Sequence, residues 1–130
     1  MNYLTLEQIL LVHSIVIDET GGMHGVRDHH AILSFVQAPR QIVFGKELYP
    51  TIFLKAAVYV RNIIMHHAFL DGNKRTSMTA AIVFLENNEC NFTAREGEIE
   101  KFALKVVEKK LTVETIAAWL EKHSRKPKTA

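Results

Sequence analysis

Apolar residues recur along this chain with a helical period. Leu6, Ile9, Leu10, His13 and Ile17 fall at i, i+3, i+4, i+7 and i+11, one face of a first helix. Thr5 with Gln8 offers a capping box at its start, and Gly21 and Gly22 stop it. Gly25 keeps the next segment in loop. Asp28 then caps a second helix over His29 to Gln37, which Pro39 ends. Pro50 suits the first position of a third helix, in which Phe53, Ala56, Ala57, Val60 and Ile64 share a face and His67 falls at the end. After a break closed by Gly72, a fourth helix starts near Asn73. From Met78 to Leu85 it is apolar nearly all round, which predicts a buried central helix. Asn87 and Asn88 end it. Thr93 with Glu96 forms a second capping box. Ile99, Phe102, Ala103, Val106 and Val107 make a fifth stripe, and Val113, Ile116, Ala117 and Leu120 a sixth.

Only residues 39 to 49 depart from this period. Gln41, Ile42, Val43 and Phe44 favour extended backbone and precede Gly45, a short strand or hairpin arm. The pattern predicts an all-α fold of about six helices around a buried central helix, with one small β flap.

Composition narrows the picture. The 130 residues are 48% hydrophobic, enough for a single core. Residues 1–122 read as one domain and 123–130 as a basic C-terminal tail carrying Pro127. Lys and Arg number 16 against 14 Asp and Glu, a net charge of +2, too balanced to imply direct nucleic-acid binding. The single cysteine, Cys90, excludes an internal disulfide and suits a reducing compartment. The N-terminus lacks the basic region of a signal peptide, and no apolar run approaches the roughly 20 residues of a membrane span. A cytoplasmic protein without membrane contact is expected.

Polar groups of several kinds meet only in the break, His67-Ala68-Phe69-Leu70-Asp71-Gly72-Asn73-Lys74-Arg75-Thr76. It ends at the start of a helix, whose first N–H groups lack intrahelical partners and, with the macrodipole, suit an anion. Gly72 removes a side chain where a phosphate approaches the backbone. Lys74 and Arg75 add positive charge, one as a point and one as a fork. Asp71 offers a hard oxygen suited to Mg²⁺, which rides on nucleotide phosphates. His67 titrates near neutrality and can take a proton from a hydroxyl. Each piece alone has a plainer meaning. His67 ends an apolar helix face, Asp71-Gly72-Asn73 is turn chemistry, Asn73 can cap a helix, and Phe69 anchors the loop by packing. His67 and Asp71, four apart, also resemble a transition-metal pair, but no third ligand has helical spacing. Together they form the kit for phosphoryl or nucleotidyl transfer.

The string closely resembles the signature of the Fic/Doc family: His, any residue, Phe, any residue, an acid, a small residue, Asn, Gly or Lys, then Arg. Gly21 to Asp28, Leu48 to Thr51 and the run after Arg75 also resemble the Doc branch, and the likeness extends over roughly residues 3 to 120. The resemblance implies that His67 is the general base, that Asp71 holds Mg²⁺, that Asn73 positions a phosphate oxygen and that Arg75 binds phosphate. Gly72, Asn73, Lys74, Arg75 and Thr76 would form the nucleotide cradle, with Lys74 and Arg75 also serving catalysis. Gln41, Ile42, Val43 and Phe44 would form a flap that aligns the target by strand addition.

Fic adenylyltransferases usually carry Gly where this chain has Lys74, and a second Arg where it has Met78. Both departures match Doc, although Gly72 is Ala in the best-known Doc pattern. Doc toxins bind ATP in the opposite sense and act as protein kinases on elongation factor Tu, which arrests translation. The resemblance therefore implies transfer of the ATP γ-phosphate to a Ser or Thr hydroxyl. Transfer of AMP is the alternative, and a non-catalytic antitoxin-binding module the second. The family's internal inhibitory pattern is missing: Ile82 and Phe92 stand four residues before Glu86 and Glu96, where Ser or Thr is required. An antitoxin acting in trans is therefore expected as partner.

Overall fold

A computed structural model describes residues 1–125. Helices α1 (Leu6–Thr20) and α2 (His29–Gln37) lead through a 3-10 turn, Ala38–Arg40, to the strands β1 (Ile42–Val43) and β2 (Lys46–Glu47). Helices α3 (Ile52–His66) and α4 (Asn73–Asn87) follow, then β3 (Asn91–Phe92), α5 (Glu96–Lys109), α6 (Val113–Lys122) and β4 (Ser124–Arg125). Among the described residues, six helices and a small flap make the all-α fold that the pattern predicts.

Local chemistry sets most helix starts. The Thr5 hydroxyl accepts from Gln8 N at 3.1 Å while Gln8 Oε1 accepts from Thr5 N at 2.8 Å, the reciprocal box expected for α1. Asp28 Oδ1 caps α2 through Ala31 N at 3.1 Å. Two starts differ from expectation. Pro50 lies just outside α3, and the cap is Thr51, whose hydroxyl accepts from Leu54 N at 3.1 Å. Thr93 does not cap α5. Its N–H and its hydroxyl both donate to the His123 carbonyl, at 2.7 and 2.8 Å, because β3 pairs antiparallel with β4 there. The start of α5 is instead closed by Glu98 Oε1 on Arg95 N at 3.2 Å. This second two-stranded pairing holds the first residues of the expected basic tail; its residues 126–130 lie outside the described residues.

α3 and α4 share the centre. α3 packs most extensively on α4 and α6, and α1 and α5 flank α4. Phe53, Ala56, Ala57, Val60 and Ile64 are buried as expected, but so are Lys55, Val58, Tyr59 and Ile63, so α3 is enclosed on nearly every side. Tyr59 accepts from Leu4 N at 3.0 Å, and burial pushes its phenol up to about 12. Among the described residues no helix is long and apolar enough to cross a membrane.

The flap is a hairpin with Ile42 opposite Glu47 and Val43 opposite Lys46. Phe44 and Gly45 have φ 50° and 76°, the pair of positive values that a two-residue turn needs to match strand twist. Gln41 therefore flanks the strand and Phe44 sits at the tip, fully exposed. The base of the hairpin is tied to α3 by the buried Lys55, whose ammonium donates to Tyr49 O at 2.5 Å, Glu47 Oε1 at 3.0 Å and Pro39 O at 3.5 Å.

Candidate active site

The break between α3 and α4 and the first turn of α4 carry every expected site residue except the flap. α3 ends because His67 turns left-handed, at φ 45° and ψ 48°, which leaves its ring exposed at the mouth of the loop. Ala68 and Phe69 then dive inward, 0% and 1% exposed. Burying a ring of this size contributes about 2–3 kcal/mol and fixes the loop's depth. Asp71 returns to the surface, and Gly72, at φ 77°, turns the chain into α4.

The loop hangs on the segment after α1. The Ala68 carbonyl accepts from Arg27 N at 2.7 Å and Asp28 N at 3.1 Å, and Leu70 N donates to the Gly25 carbonyl at 3.2 Å. Val26 and Phe69 form an antiparallel bridge. Asp71 Oδ2 accepts from Met23 N at 2.7 Å. Its other oxygen has no hydrogen-bond partner among the described residues. Gly22 permits this approach: a Cβ there would lie 3.1 Å from Asp71 Cβ.

Several expected residues have tasks the sequence did not display. Asn73 clasps Phe69: its Oδ1 accepts from Phe69 N at 3.1 Å and its Nδ2 donates to Phe69 O at 3.0 Å. Both ends of the amide are thus committed to closing the loop. A Cβ on Gly72 would come within 2.9 Å of Ile17 Cδ1, so the missing side chain also serves close packing on α1. Thr76, expected in the nucleotide cradle, is fully buried. Its hydroxyl faces no partner and its N–H donates to Gly72 O at 2.9 Å, so it presents nothing to a ligand.

What remains open at the start of α4 is its first turn of backbone N–H groups, which can receive an anion. The Thr76 bond is the first of the helical ladder, so the N–H groups of Asn73, Lys74 and Arg75 precede it without intrahelical acceptors. Lys74 is exposed and forms no ion pair among the described residues. Arg75 is different: its guanidinium forks onto Glu96 and Glu100 of α5, and the Glu96 hydrogen bond, against some loss of solvent, raises its pKa. An open groove of about 550 Å³ runs from Gly72 and Lys74 between α4 and α5, floored by Met78, Ile82 and Ile99. Met78 is 1% exposed, so position 78 contributes apolar surface where an Arg would bring charge.

The donor set also bears on Mg²⁺. Asp71 is an exposed carboxylate with one unengaged oxygen, and no group of three or more His, Cys, Asp and Glu side chains gathers around a common point among the described residues. One carboxylate next to an anion cradle fits a cation that keeps several waters and arrives on nucleotide phosphates.

Comparison with known proteins decides the family. The Fic/DOC family model matches residues 3–85, from just before α1 to the last turn of α4. The chain belongs to the Fic/Doc family. Toxin Doc of Mycolicibacterium smegmatis is 37% identical over 92 residues, covering 71% of this chain and 68% of that protein. Protein kinase doc of Escherichia phage P1 is 31% identical over 91 residues, covering 68% and 69%. In this Fic/Doc chain the matched stretch holds the whole 67–76 segment and both of its supports, α1 and the 22–28 segment. Sequence reasoning missed His13, Met23 and Lys55. His13 read as one position of an apolar stripe, Met23 acts through its backbone, and Lys55 reads as a solvated charge. A histidine inside an otherwise apolar stripe was the one available signal.

Proposed function

We propose that this Doc-like toxin is an ATP-dependent protein kinase. It transfers the γ-phosphoryl group to a Ser or Thr hydroxyl of a translation factor, with elongation factor Tu the first candidate. The target hydroxyl gives its proton to His67, its oxygen attacks the γ-phosphorus, the bond to the β,γ-bridging oxygen breaks, and ADP leaves. Lys74 and the open N–H groups of α4 carry the negative charge of the transferring group. Mg²⁺ on Asp71 would supply charge neutralisation between the phosphates. The flap at 41–44 would align the target as an added strand.

The observation that carries this reading is the distribution of charge at the start of α4. Among the described residues Lys74 is the exposed cation of the cradle without an ion pair, whereas Arg75 is engaged by α5 and position 78 is a buried Met. A Lys stem stands where an inward-facing phosphate would need room, and no second guanidinium waits to hold a terminal phosphate in the adenylyltransferase pose. The relative from phage P1 is itself named a protein kinase. Activity in the cell would be restrained by an antitoxin in trans, since the chain carries no inhibitory pattern of its own.

Label transfer tests the reading. Incubation of a bacterial lysate with the chain and ATP labelled at the γ position should mark a protein band, and ATP labelled at the α position should not. Label from the α position alone would replace kinase activity by adenylyl transfer, and label from neither would leave a binding module.

A further inference from the structure

We propose that His13 is a positioning residue of this site: it sets the Asp71 carboxylate by holding the backbone of the residue that bears it. The inference rests on the reading that Asp71 holds Mg²⁺ for phosphoryl transfer. His13 projects from α1 and is 4% exposed. An imidazole buried to that extent is costly unless its N–H finds an acceptor. The acceptor is the carbonyl of Asp71, at 2.8 Å from Nε2; a carbonyl can only accept, so Nε2 carries the proton. The same ring lies flat against Phe69, with centroids 3.8 Å apart and planes 9° from parallel. One side chain thus grips the loop at two residues, 69 and 71.

Asp71 sits in irregular backbone, so no helical ladder fixes it. Its orientation depends on two hydrogen bonds, Met23 N to the carboxylate and His13 Nε2 to the carbonyl. Removing the second lets the peptide rotate and swings the free carboxylate oxygen away from its cation. Groups that orient a metal ligand in this indirect way typically change metal affinity by about 10–100-fold when lost. An apolar residue of similar size would fill the space next to Phe69 equally well, so the need for a histidine here lies in the N–H.

The pair His13→Gln and His13→Met isolates that N–H. The two side chains match in length and both lose the stacking on Phe69, but only Gln can donate to the Asp71 carbonyl. The Mg²⁺ concentration for half-maximal γ-phosphoryl transfer, and the calorimetric affinity for Mg-ATP, should differ about tenfold between them, with His13→Gln close to wild type. Turnover at saturating Mg²⁺ should differ far less. His13→Phe keeps the stack without the donor and should behave as His13→Met, which preserves the test if the unstacked variants fold poorly. Asp71→Asn runs alongside. If it loses Mg²⁺ dependence while His13→Gln and His13→Met, or wild type and His13→Phe, share one Mg²⁺ midpoint, the positioning role is overturned and the Asp71 assignment stands. If Asp71→Asn keeps the wild-type midpoint, the Asp71 assignment fails and the inference with it.

Discussion

At the residue scale, His67 does two things at once. It ends α3 in a left-handed conformation and presents the only imidazole in the loop. Replacing it by Ala confuses the two, because Ala pays about 1–2 kcal/mol for that backbone. Asn tolerates it. His67→Asn should keep the thermal midpoint of wild type and lower transfer by about 10²–10⁴-fold, the usual contribution of a positioned base. Activity within a few-fold of wild type, in the same assay, would remove His67 from the role of base. Gly72 makes a second residue-scale case. Gly72→Ala brings a Cβ to 2.9 Å from Ile17 Cδ1 at φ 77°, and should cost about 1–2 kcal/mol in denaturant titrations. Ile17→Val in the same chain should recover the steric part, since it deletes the atom that is struck. An unchanged denaturation midpoint in Gly72→Ala would contradict the packing account. The motif was legible because residue types and spacing carry its chemistry. The second tasks of Gly72, Asn73 and Thr76 were not, because they depend on where α1 and Phe69 lie in space.

At the scale of elements, α5 bears directly on the candidate anion site at the start of α4. Glu96 and Glu100 stand one turn apart on α5 and together occupy the Arg75 fork. Both carboxylates are largely exposed, so solvent and salt weaken the pairing and a nucleotide can compete for it. Neutralising them with Glu96→Gln and Glu100→Gln should raise the affinity for Mg-ATP several-fold at low salt, with less gain at high salt. A lower affinity in the double variant would mean that the two carboxylates assist the nucleotide. The stripes of α1, α5 and α6 were readable because each buries one face, although Val107 of the expected α5 stripe lies exposed. α3 was read as one-sided and is enclosed on nearly every side, since α4, α6, α2 and the 3-10 turn all pack against it. The β3–β4 pair escaped notice because two-residue strands are too short to show alternation. That pairing also explains why Thr93 leaves the cap of α5 to its neighbours.

At the scale of the whole molecule, the loop after α3 is suspended between α1 and the 22–28 segment, so the candidate site and the fold share supports. His13 links the two. Burial lowers its pKa despite the hydrogen bond to Asp71. The folded state therefore prefers neutral His13, while the unfolded chain takes up a proton near pH about 6.5. Between the lowered folded value and about 6.5 the unfolded state binds more protons, so stability rises with pH across that window and is lost as pH falls through it. Denaturation midpoints measured at about pH 5 and about pH 7 should differ in wild type, and the difference should shrink in His13→Phe. An identical pH dependence in the two proteins would show that His13 is not the group responsible.

The central claim, that the exposed Lys74 and the buried Met78 favour γ-phosphoryl transfer over adenylyl transfer, is tested most directly by mass spectrometry of elongation factor Tu. The factor is incubated with this chain and Mg-ATP, and the modified peptide is sequenced. A single phosphate on a Ser or Thr, absent with His67→Asn, is the result expected here. AMP on that residue, with no phosphate-only adduct, would contradict it.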